Sequence, residues 1–211
     1  MSRDQAIVIR YDNPDAAGKG RELVYFHGRG SSEREAGMAL SLFGNANVRS
    51  YRGPIAQGAG FAWFLNAGIG EAIPESLAAE VRKVGAWIAA DTGRRRPWLC
   101  GFSNGAAMAS ALLLDEPDAY AGLLMIGGCF AVGDAELPTG GLAGKPILFC
   151  RGKFDEVIPN RKFEQAETYL RDRSGAHVTF FDYEGGHELP LTITTSVRAW
   201  LAAEERAGPI E

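Results

Sequence analysis

Short apolar runs alternate along this chain with longer segments that carry apolar residues at helical spacing. Runs rich in Val, Ile, Leu and aromatic residues predict seven strands, at 6–11, 22–27, 48–52, 97–100, 120–130, 145–151 and 177–183. Helix-forming segments predict five helices, at 31–43, 74–90, 104–114, 161–173 and 191–203. This alternation is typical of βαβ units, so it predicts an α/β fold with a mainly parallel sheet and helices on both faces.

The connections between these elements refine the prediction. The short link at 13–20 would allow the first two strands to pair as an antiparallel hairpin. Residues 54–70 are rich in Gly and aromatic side chains and follow no single period, which predicts a loop, and loops of that length are often functional. The chain has no internal repeat, low-complexity tract or linker, so we expect one domain over residues 1–211.

Composition and charge narrow the range of partners. The 22 basic and 26 acidic residues give a formal net charge of −4, which provides no electrostatic attraction to nucleic acid. No apolar run approaches the roughly 20 residues that a membrane-spanning helix needs, and the N-terminal run is too short for a signal peptide. Cys100, Cys129 and Cys150 fit no zinc spacing and predict buried free thiols in a reducing compartment. We therefore expect a cytoplasmic protein without membrane insertion, and a homodimer is compatible with these features.

The segment with the most specific chemical pattern is Gly101-Phe102-Ser103-Asn104-Gly105. Its Gly-x-Ser-x-Gly pattern follows a predicted strand and precedes a predicted helix, which is the context of a nucleophile elbow. In such a turn the serine stands on a strained backbone, and glycines two residues away on either side remove side chains that would clash. The helix that follows directs its first N–H groups toward the position where negative charge develops. Ser103 is therefore the predicted nucleophile.

A serine hydroxyl needs a neighbouring base, and the chain contains three histidines. His27 ends the second predicted strand, and His177 opens the last one as a predicted surface residue. His187 lies in a Gly-rich loop after the last strand, and such a loop can hold an imidazole over the carboxyl edge of the sheet, where α/β folds place their sites. His187 is therefore the predicted general base.

The imidazole in turn needs a carboxylate that orients it and stabilises its charged form. Asp155 follows the predicted strand at 145–151, and the order Ser103, Asp155, His187 is the order of α/β-hydrolases. Asp182 and Glu156 are the alternatives. Asp182 lies inside a strand only five residues before the histidine, and Glu156 is expected to face solvent. The pattern therefore favours Asp155.

An oxyanion hole is predicted where the second strand runs into His27-Gly28-Arg29-Gly30. The glycines allow the backbone N–H of Arg29 to point at the reacting carbonyl oxygen, and the N–H of Asn104 would be the second donor. As an isolated motif, the same four residues could form an ordinary tight turn.

These motifs resemble those of the phospholipase/carboxylesterase family of compact α/β-hydrolases, which includes the acyl-protein thioesterases. The resemblance runs from residues 27–30 through 101–105 and Asp155 to Gly186-His187, nearly the whole chain. It implies a single domain without a large lid, hydrolysis of carboxylic esters or thioesters, and backbone oxyanion donors at Arg29 and Asn104. It also implies that Trp63 and Phe64 border an acyl pocket, although both could instead be core residues under a long loop. Asn104 and Leu65 differ from the thioesterase branch, so the chain is more similar to the family's bacterial esterases.

Three functions remain open from the sequence. The first is a serine esterase that forms an acyl-enzyme on a small-molecule ester and needs no metal or organic cofactor. The second is a hydrolase of lactones or small acidic esters, similar to dienelactone hydrolases, in which Arg29 would bind a substrate carboxylate. The third is a protein of the same fold that only binds ligands. The presence of all three triad residue types in the expected order favours the enzymes.

Overall fold

The protein is described by a computed structural model over residues 6–13, 20–93, 95–132 and 136–207. Eleven strands are present in these ranges: β1 (Val8–Tyr11), β2 (Glu22–Phe26), β3 (Asn47–Tyr51), β4 (Ile55–Gln57), β5 (Gly60–Ala62), β6 (Asn66–Gly68), β7 (Glu71–Ala72), β8 (Trp98–Phe102), β9 (Gly122–Ile126), β10 (Pro146–Gly152) and β11 (His177–Tyr183). The same ranges contain five α-helices: α1 (Ala36–Phe43), α2 (Pro74–Thr92), α3 (Asn104–Asp115), α4 (Asn160–Asp172) and α5 (Thr194–Ala207).

Seven of the strands form one sheet, in the order β1-β3-β2-β8-β9-β10-β11. All neighbouring pairs are parallel except β1 and β3, which are antiparallel. The predicted seven strands and five helices are all present, with ends that differ by a few residues. The predicted mainly parallel α/β architecture is therefore confirmed.

The two faces of the sheet are buried by different helices. On one face, apolar side chains of α2, α3 and α4 pack on Val24, Leu99 and Phe149. On the other face, α1 and α5 pack on the alternate strand residues, such as Leu23 beside Val24 and Cys100 beside Leu99. Successive strand residues point to opposite faces, so a strand must be apolar wherever it is covered on both sides, as β8 is and as β2 is after Glu22.

The predicted hairpin between the first two strands is wrong. Strand β1 pairs antiparallel with β3, with Val8 opposite Tyr51, and β2 lies on the far side of β3. The burial of the two strands explains the difference, because β2 is buried over four of its five residues, whereas every residue of β1 is at least partly exposed. The apolar strand therefore occupies the centre of the sheet and the more polar one occupies its edge. Residues 14–19 of the link lie outside the described residues.

The segment at 54–70 is more ordered than the predicted loop. It holds the hairpin β4–β5 and the first strand of the hairpin β6–β7, with Gly58 and Gly70 at positive φ in the two turns. Strands of two or three residues are too short to produce a detectable period, so the sequence pattern did not predict them. Within the described residues, these hairpins and no larger inserted lid accompany the sheet.

The three cysteines are buried and unbonded, as predicted. No helix in the part of the chain that the structure describes is long and apolar enough to cross a membrane.

Candidate active site

Ser103 occupies the sharp turn between β8 and α3. Its φ of 55° and ψ of −119° make it the single residue other than glycine at positive φ among those described. Its backbone N–H donates to Ile126 O at 3.0 Å, which fixes the turn to the neighbouring strand β9. Such a conformation costs of order 1–3 kcal/mol in a residue with a side chain, and the surrounding structure must hold it in place.

The glycines on either side of Ser103 are required by close backbone approach. A Cβ atom on Gly101 would lie 2.3 Å from Gly105 O. A Cβ atom on Gly105 would lie 2.1 Å from Phe26 O, because α3 begins directly against the end of β2. Both positions therefore require glycine for α3 to start at the serine.

The predicted nucleophile, base and acid are joined by two hydrogen bonds. His187 Nε2 lies 2.9 Å from Ser103 Oγ, and His187 Nδ1 lies 2.8 Å from Asp155 Oδ2. The Asp155 side chain is 1% exposed and the His187 side chain 14% exposed, so the carboxylate is shielded while the imidazole reaches the surface of a cavity. The ring of Phe102 packs against the imidazole with centroids 5.0 Å apart. The order Ser–His–Asp matches the requirements of acyl transfer by a serine.

Two loops at the ends of β10 and β11 hold this acid–base pair. The other oxygen of Asp155, Oδ1, accepts from the backbone N–H groups of Val157 and Ile158, each at 2.9 Å. The two loops touch at Gly152, where a Cβ would lie 2.3 Å from Gly186 O. Both carboxylate oxygens are therefore occupied, and the acid presents one fixed oxygen to the imidazole.

The alternative residues lie elsewhere. Asp182 pairs with Arg151 at 3.0 Å and is 41% exposed at its side chain. Glu156 and His177 are exposed. The structure thus brings Asp155 and no rival carboxylate against His187, among the residues that it describes.

His27 is the buried first residue of the predicted oxyanion turn, which comprises residues 27–30. Its Nε2 accepts from Gly53 N at 3.0 Å, and its Nδ1 lies 2.8 Å from Gly28 O, so Nδ1 carries the proton and the ring is neutral. Burial lowers its pKa and favours this neutral form. In a planar trans peptide, the C=O and the following N–H point in opposite directions. By holding Gly28 O, the imidazole therefore directs the N–H of Arg29 the other way.

A buried carboxylate, that of Glu35, also binds the oxyanion turn. Glu35 Oε1 accepts from Gly28 N and from the hydroxyl of Tyr25, both at 2.9 Å. Nearby, Glu33 accepts two hydrogen bonds from Arg52, which lowers the pKa of that carboxyl. Glu35 and Arg52 carry no local sequence signal as site residues, because no short motif relates the acids of this helix to the backbone of the turn or to a residue after β3.

The hairpin β4–β5 packs against the oxyanion turn as well. Gly30 N donates to Phe61 O and Phe61 N donates to Ser31 O, each at 2.8 Å. The guanidinium of Arg52 lies over the Phe61 ring, 4.6 Å from its centroid. The oxyanion turn is therefore bonded both to Glu35 and to the hairpin β4–β5.

Asn104 begins α3, where the first amides of a helix have no intrahelical partner. Its backbone N–H is thus available as the second predicted oxyanion donor. Its side chain has a separate use, because Oδ1 accepts from Trp63 N at 3.0 Å and joins the helix start to the segment after β5.

A cavity of about 510 Å³ opens at Ser103 and His187. Arg29 and Asn104 line it near the serine, and Phe64, Ile69, Ala107, Cys129, Ala131 and Ile158 give it an apolar wall. Phe64 thus lies where the sequence placed it, but Trp63 does not line the cavity. Trp63 is fully buried and its indole N–H donates to His27 O at 2.8 Å, so it supports the oxyanion turn from inside the fold.

Cys129 is the other potential nucleophile in this cavity. Burial raises the pKa of its thiol to about 11, so the thiolate is scarce at neutral pH. Across the described residues, no group of three or more His, Cys, Asp or Glu side chains is arranged to bind a metal ion.

The chain is similar in sequence to known proteins over most of its length. The family model described as Phospholipase/Carboxylesterase matches residues 57–204. MhqD of Bacillus subtilis (strain 168), named as a candidate hydrolase, is 29% identical over 185 residues, which cover 84% of this chain and 90% of MhqD.

Solved structures share the fold. The carboxylesterase of Bacillus cereus superposes with a TM-score of 0.82 at 21% identity, over 95% of each chain. The carboxylesterase of Mesorhizobium loti superposes with a TM-score of 0.76 at 29% identity, over 90% of this chain and 89% of that one. With an α/β-hydrolase fold and a family match over most of its length, this chain belongs to the phospholipase/carboxylesterase family of ester-hydrolysing enzymes.

Proposed function

We propose that this protein is a serine esterase that hydrolyses carboxylic esters or thioesters of small molecules through an acyl-enzyme on Ser103. The observation that carries the proposal is the continuous hydrogen-bonded chain from Ser103 Oγ through His187 to Asp155, with contacts of 2.9 and 2.8 Å. Each contact lies within the range that proton transfer between catalytic groups requires.

Acylation begins when Ser103 Oγ attacks the carbonyl carbon and His187 Nε2 takes the hydroxyl proton. The carbonyl oxygen becomes an oxyanion, which the N–H groups of Arg29 and Asn104 stabilise. A single donor of this kind is worth about 3 kcal/mol of barrier. When the tetrahedral intermediate collapses, His187 returns the proton to the leaving oxygen or sulfur, and an alcohol or thiol departs.

Deacylation repeats these steps with water. His187 removes a proton from the water as its oxygen attacks the acyl carbon, and the proton then passes to Ser103 Oγ as the carbon–oxygen bond breaks. The products are the free acid and the restored serine. Asp155 accepts a hydrogen bond from His187 Nδ1 and stabilises the imidazolium that forms in both halves.

The cavity supports a small or medium-sized substrate with an apolar part. Its volume of about 510 Å³ lies within the usual range for small-molecule sites, and its wall is largely apolar. The nucleophile position of the turn between β8 and α3 holds Ser103 and not a cysteine, which favours the serine mechanism over the cysteine mechanism common among dienelactone hydrolases. Burial raises the pKa of the Cys129 thiol to about 11, so this thiol is a poor substitute nucleophile.

The test is turnover of short-chain 4-nitrophenyl esters and matching thioesters by the wild-type chain and by Ser103→Ala. We expect turnover by the wild type and a loss of about a thousandfold or more in Ser103→Ala, because removing a triad nucleophile leaves only binding and oxyanion contributions. His177→Ala, which changes an exposed histidine outside the cavity, should retain wild-type turnover.

Labelling with a fluorophosphonate gives a second readout. The reagent should modify the wild type at Ser103 and leave Ser103→Ala unmodified. If no ester is turned over and no label is incorporated, the protein is a ligand-binding relative of these enzymes and the proposal is wrong.

A further inference from the structure

We propose that the guanidinium of Arg29 selects esters that carry a carboxylate close to the scissile bond. This inference rests on the proposed esterase function and names its substrate class. It concerns the side chain of Arg29 alone, since the oxyanion donor is the backbone N–H of the same residue and is present whatever the side chain is.

The first observation is that the Arg29 side chain is exposed and unpaired. No ion pair or hydrogen bond joins its guanidinium to another described residue. The two acids of the short helix that follows it are already engaged. Glu33 pairs with Arg52, and Glu35 accepts from Gly28 N and the Tyr25 hydroxyl. The charge of Arg29 is therefore available to a ligand.

The second observation is the charge of the cavity. Among the described residues that line it, Arg29 is the one that carries a fixed charge, and none carries a carboxylate. This contrasts with the whole chain, whose formal net charge is −4. A cavity with a single unopposed cation attracts an anionic ligand and repels a cationic one.

The third observation is the unequal polarity of the cavity walls. Arg29, Gly30 and Gln57 line the side formed by the oxyanion turn and the hairpin β4–β5, which are bonded to each other between Gly30 and Phe61. A second group of lining residues lies where Gly70 approaches Cys129, and there Ile69, Cys129 and Ala131 accompany Asn66. A substrate with an anionic end and an apolar end fits this arrangement.

A carboxylate is the anion that we favour. Guanidinium and carboxylate form paired, charge-assisted hydrogen bonds of fixed geometry, and these bonds are stronger than those between neutral groups. Gln57 can add an amide donor on the same wall. Half-esters of dicarboxylic acids, and esters of carboxylated alcohols, combine such an anion with an ester and an apolar segment.

The experiment compares ester pairs that differ only in charge. The first pair is mono(4-nitrophenyl) adipate and its methyl-capped diester, which place the charge on the acyl side. The second is 4-carboxyphenyl butyrate and 4-carbamoylphenyl butyrate, which place it on the leaving group. The wild type should show a higher kcat/KM for the charged member of at least one pair, and raised salt should reduce that preference.

Three variants separate the side chain from the chemistry. Arg29→Gln should lower kcat/KM for the preferred charged ester about 10- to 100-fold more than for its neutral partner, mainly through KM. Arg29→Glu should reverse the preference. Arg34→Gln is the matched control, because it removes another exposed arginine charge, five residues further along the chain and outside the cavity, and it should leave both rates unchanged.

The outcomes separate this inference from the proposed function. If neutral esters are hydrolysed in a Ser103-dependent way, but neither charged ester is preferred and Arg29→Gln alters nothing, the esterase stands and the inference is overturned. Equal losses for charged and neutral esters in Arg29→Gln would also overturn it. Calorimetric binding of adipate supplies a readout without turnover. Wild type should bind adipate more tightly than Arg29→Gln, and equal binding would contradict the inference.

Discussion

The backbone of Ser103 stores strain at the position proposed for the nucleophile. A φ of 55° is unfavourable for any residue with a Cβ atom, and the turn is imposed by the bond from Ser103 N to Ile126 O and by the start of α3. The benefit is that the hydroxyl stands at the end of a helix and within reach of His187. The strained backbone of Ser103 lowers the stability of the fold, and it places the hydroxyl where the proposed chemistry requires it.

We predict that Ser103→Gly is more stable than Ser103→Ala by about 1 kcal/mol. Both variants lose the hydroxyl, but glycine relieves a strain of order 1–3 kcal/mol, which exceeds its entropic cost of about 0.5–1 kcal/mol. Urea unfolding of the two variants measures the difference.

Ser110 provides the control for this comparison, because it lies inside helix α3 with ordinary helical geometry. There the order should reverse, with Ser110→Gly less stable than Ser110→Ala by about 1 kcal/mol. A glycine variant that is less stable than the alanine variant at both positions would contradict backbone strain at Ser103.

At the scale of elements, the site depends on how closely α3 approaches β2. Gly105, in the first turn of α3, lies so near the end of β2 that a Cβ would be 2.1 Å from Phe26 O and 2.6 Å from His27 O. These are backbone atoms at the beginning of the oxyanion turn, so they cannot move aside without displacing it. The distance between Ser103 and the proposed oxyanion donors is therefore set by a helix–strand contact that only glycine permits.

We predict that Gly105→Ala lowers the free energy of unfolding by more than about 3 kcal/mol, since the added methyl group overlaps rigid backbone. Esterase activity should fall with it, even at temperatures where the variant stays folded, because the oxyanion turn shifts.

Gly93, at the end of α2, gives a matched substitution. It has a φ of 62°, but a Cβ there would meet no atom within 4 Å. Gly93→Ala should cost only about 1–2 kcal/mol and keep full turnover. Equal losses of stability in the two variants would show that overlap with β2 is not the cause.

At the scale of the whole molecule, the oxyanion turn is the point where distant parts of the chain meet. His27 bonds Gly53, Glu35 bonds Gly28, and Trp63 bonds both His27 and Asn104. These contacts join β2, β3, the hairpin β4–β5 and α3 around a neutral imidazole. Protonating that imidazole would set an N–H against the N–H of Gly53 and place a charge in a buried position.

This arrangement predicts a dependence of folding stability on pH. The pKa of His27 is lowered in the fold from its ordinary value of 6.5. Below pH 6.5 the unfolded chain therefore binds a proton that the native chain resists, and the free energy of unfolding falls as pH falls until the native pKa is passed. The slope contributed by this one group approaches at most about 1.4 kcal/mol per pH unit.

Urea unfolding between pH 8 and pH 5 measures this slope. His27→Gln should be less stable than the wild type at pH 8 and should lose stability less steeply below pH 6.5. His177→Gln, which changes an exposed histidine, should keep the wild-type slope. The Glu33 carboxyl, whose pKa is lowered from 4.5 by Arg52, contributes only at lower pH, so the two effects occupy different ranges. An unchanged slope in His27→Gln would contradict the assignment.

Local patterns in the sequence were sufficient for the elements and for part of the site. Short apolar runs, such as those at 97–100 and 145–151, predicted the central strands, because a strand buried on both faces must be apolar along its length. The serine turn was recognisable from the sequence because its steric requirement falls on Gly101 and Gly105, which both lie within two residues of Ser103 and form a short motif with it. The proposal that Asp155 and His187 meet this serine came from the order of loops along a parallel sheet.

Other features depend on contacts between residues far apart in the chain, and only the tertiary structure decided them. The pairing of β1 with β3 followed from which strand the core could bury. The indole of Trp63 points into the fold, where its N–H donates to His27 O. The bonds of Glu35 to Gly28 and of Arg52 to Glu33 likewise have no local signal. Sequence by itself determined which segments become strands, helices and the serine turn, because those depend on neighbours along the chain. The wall composition of the cavity, the support of the oxyanion turn and the freedom of Arg29 were decided by packing in three dimensions.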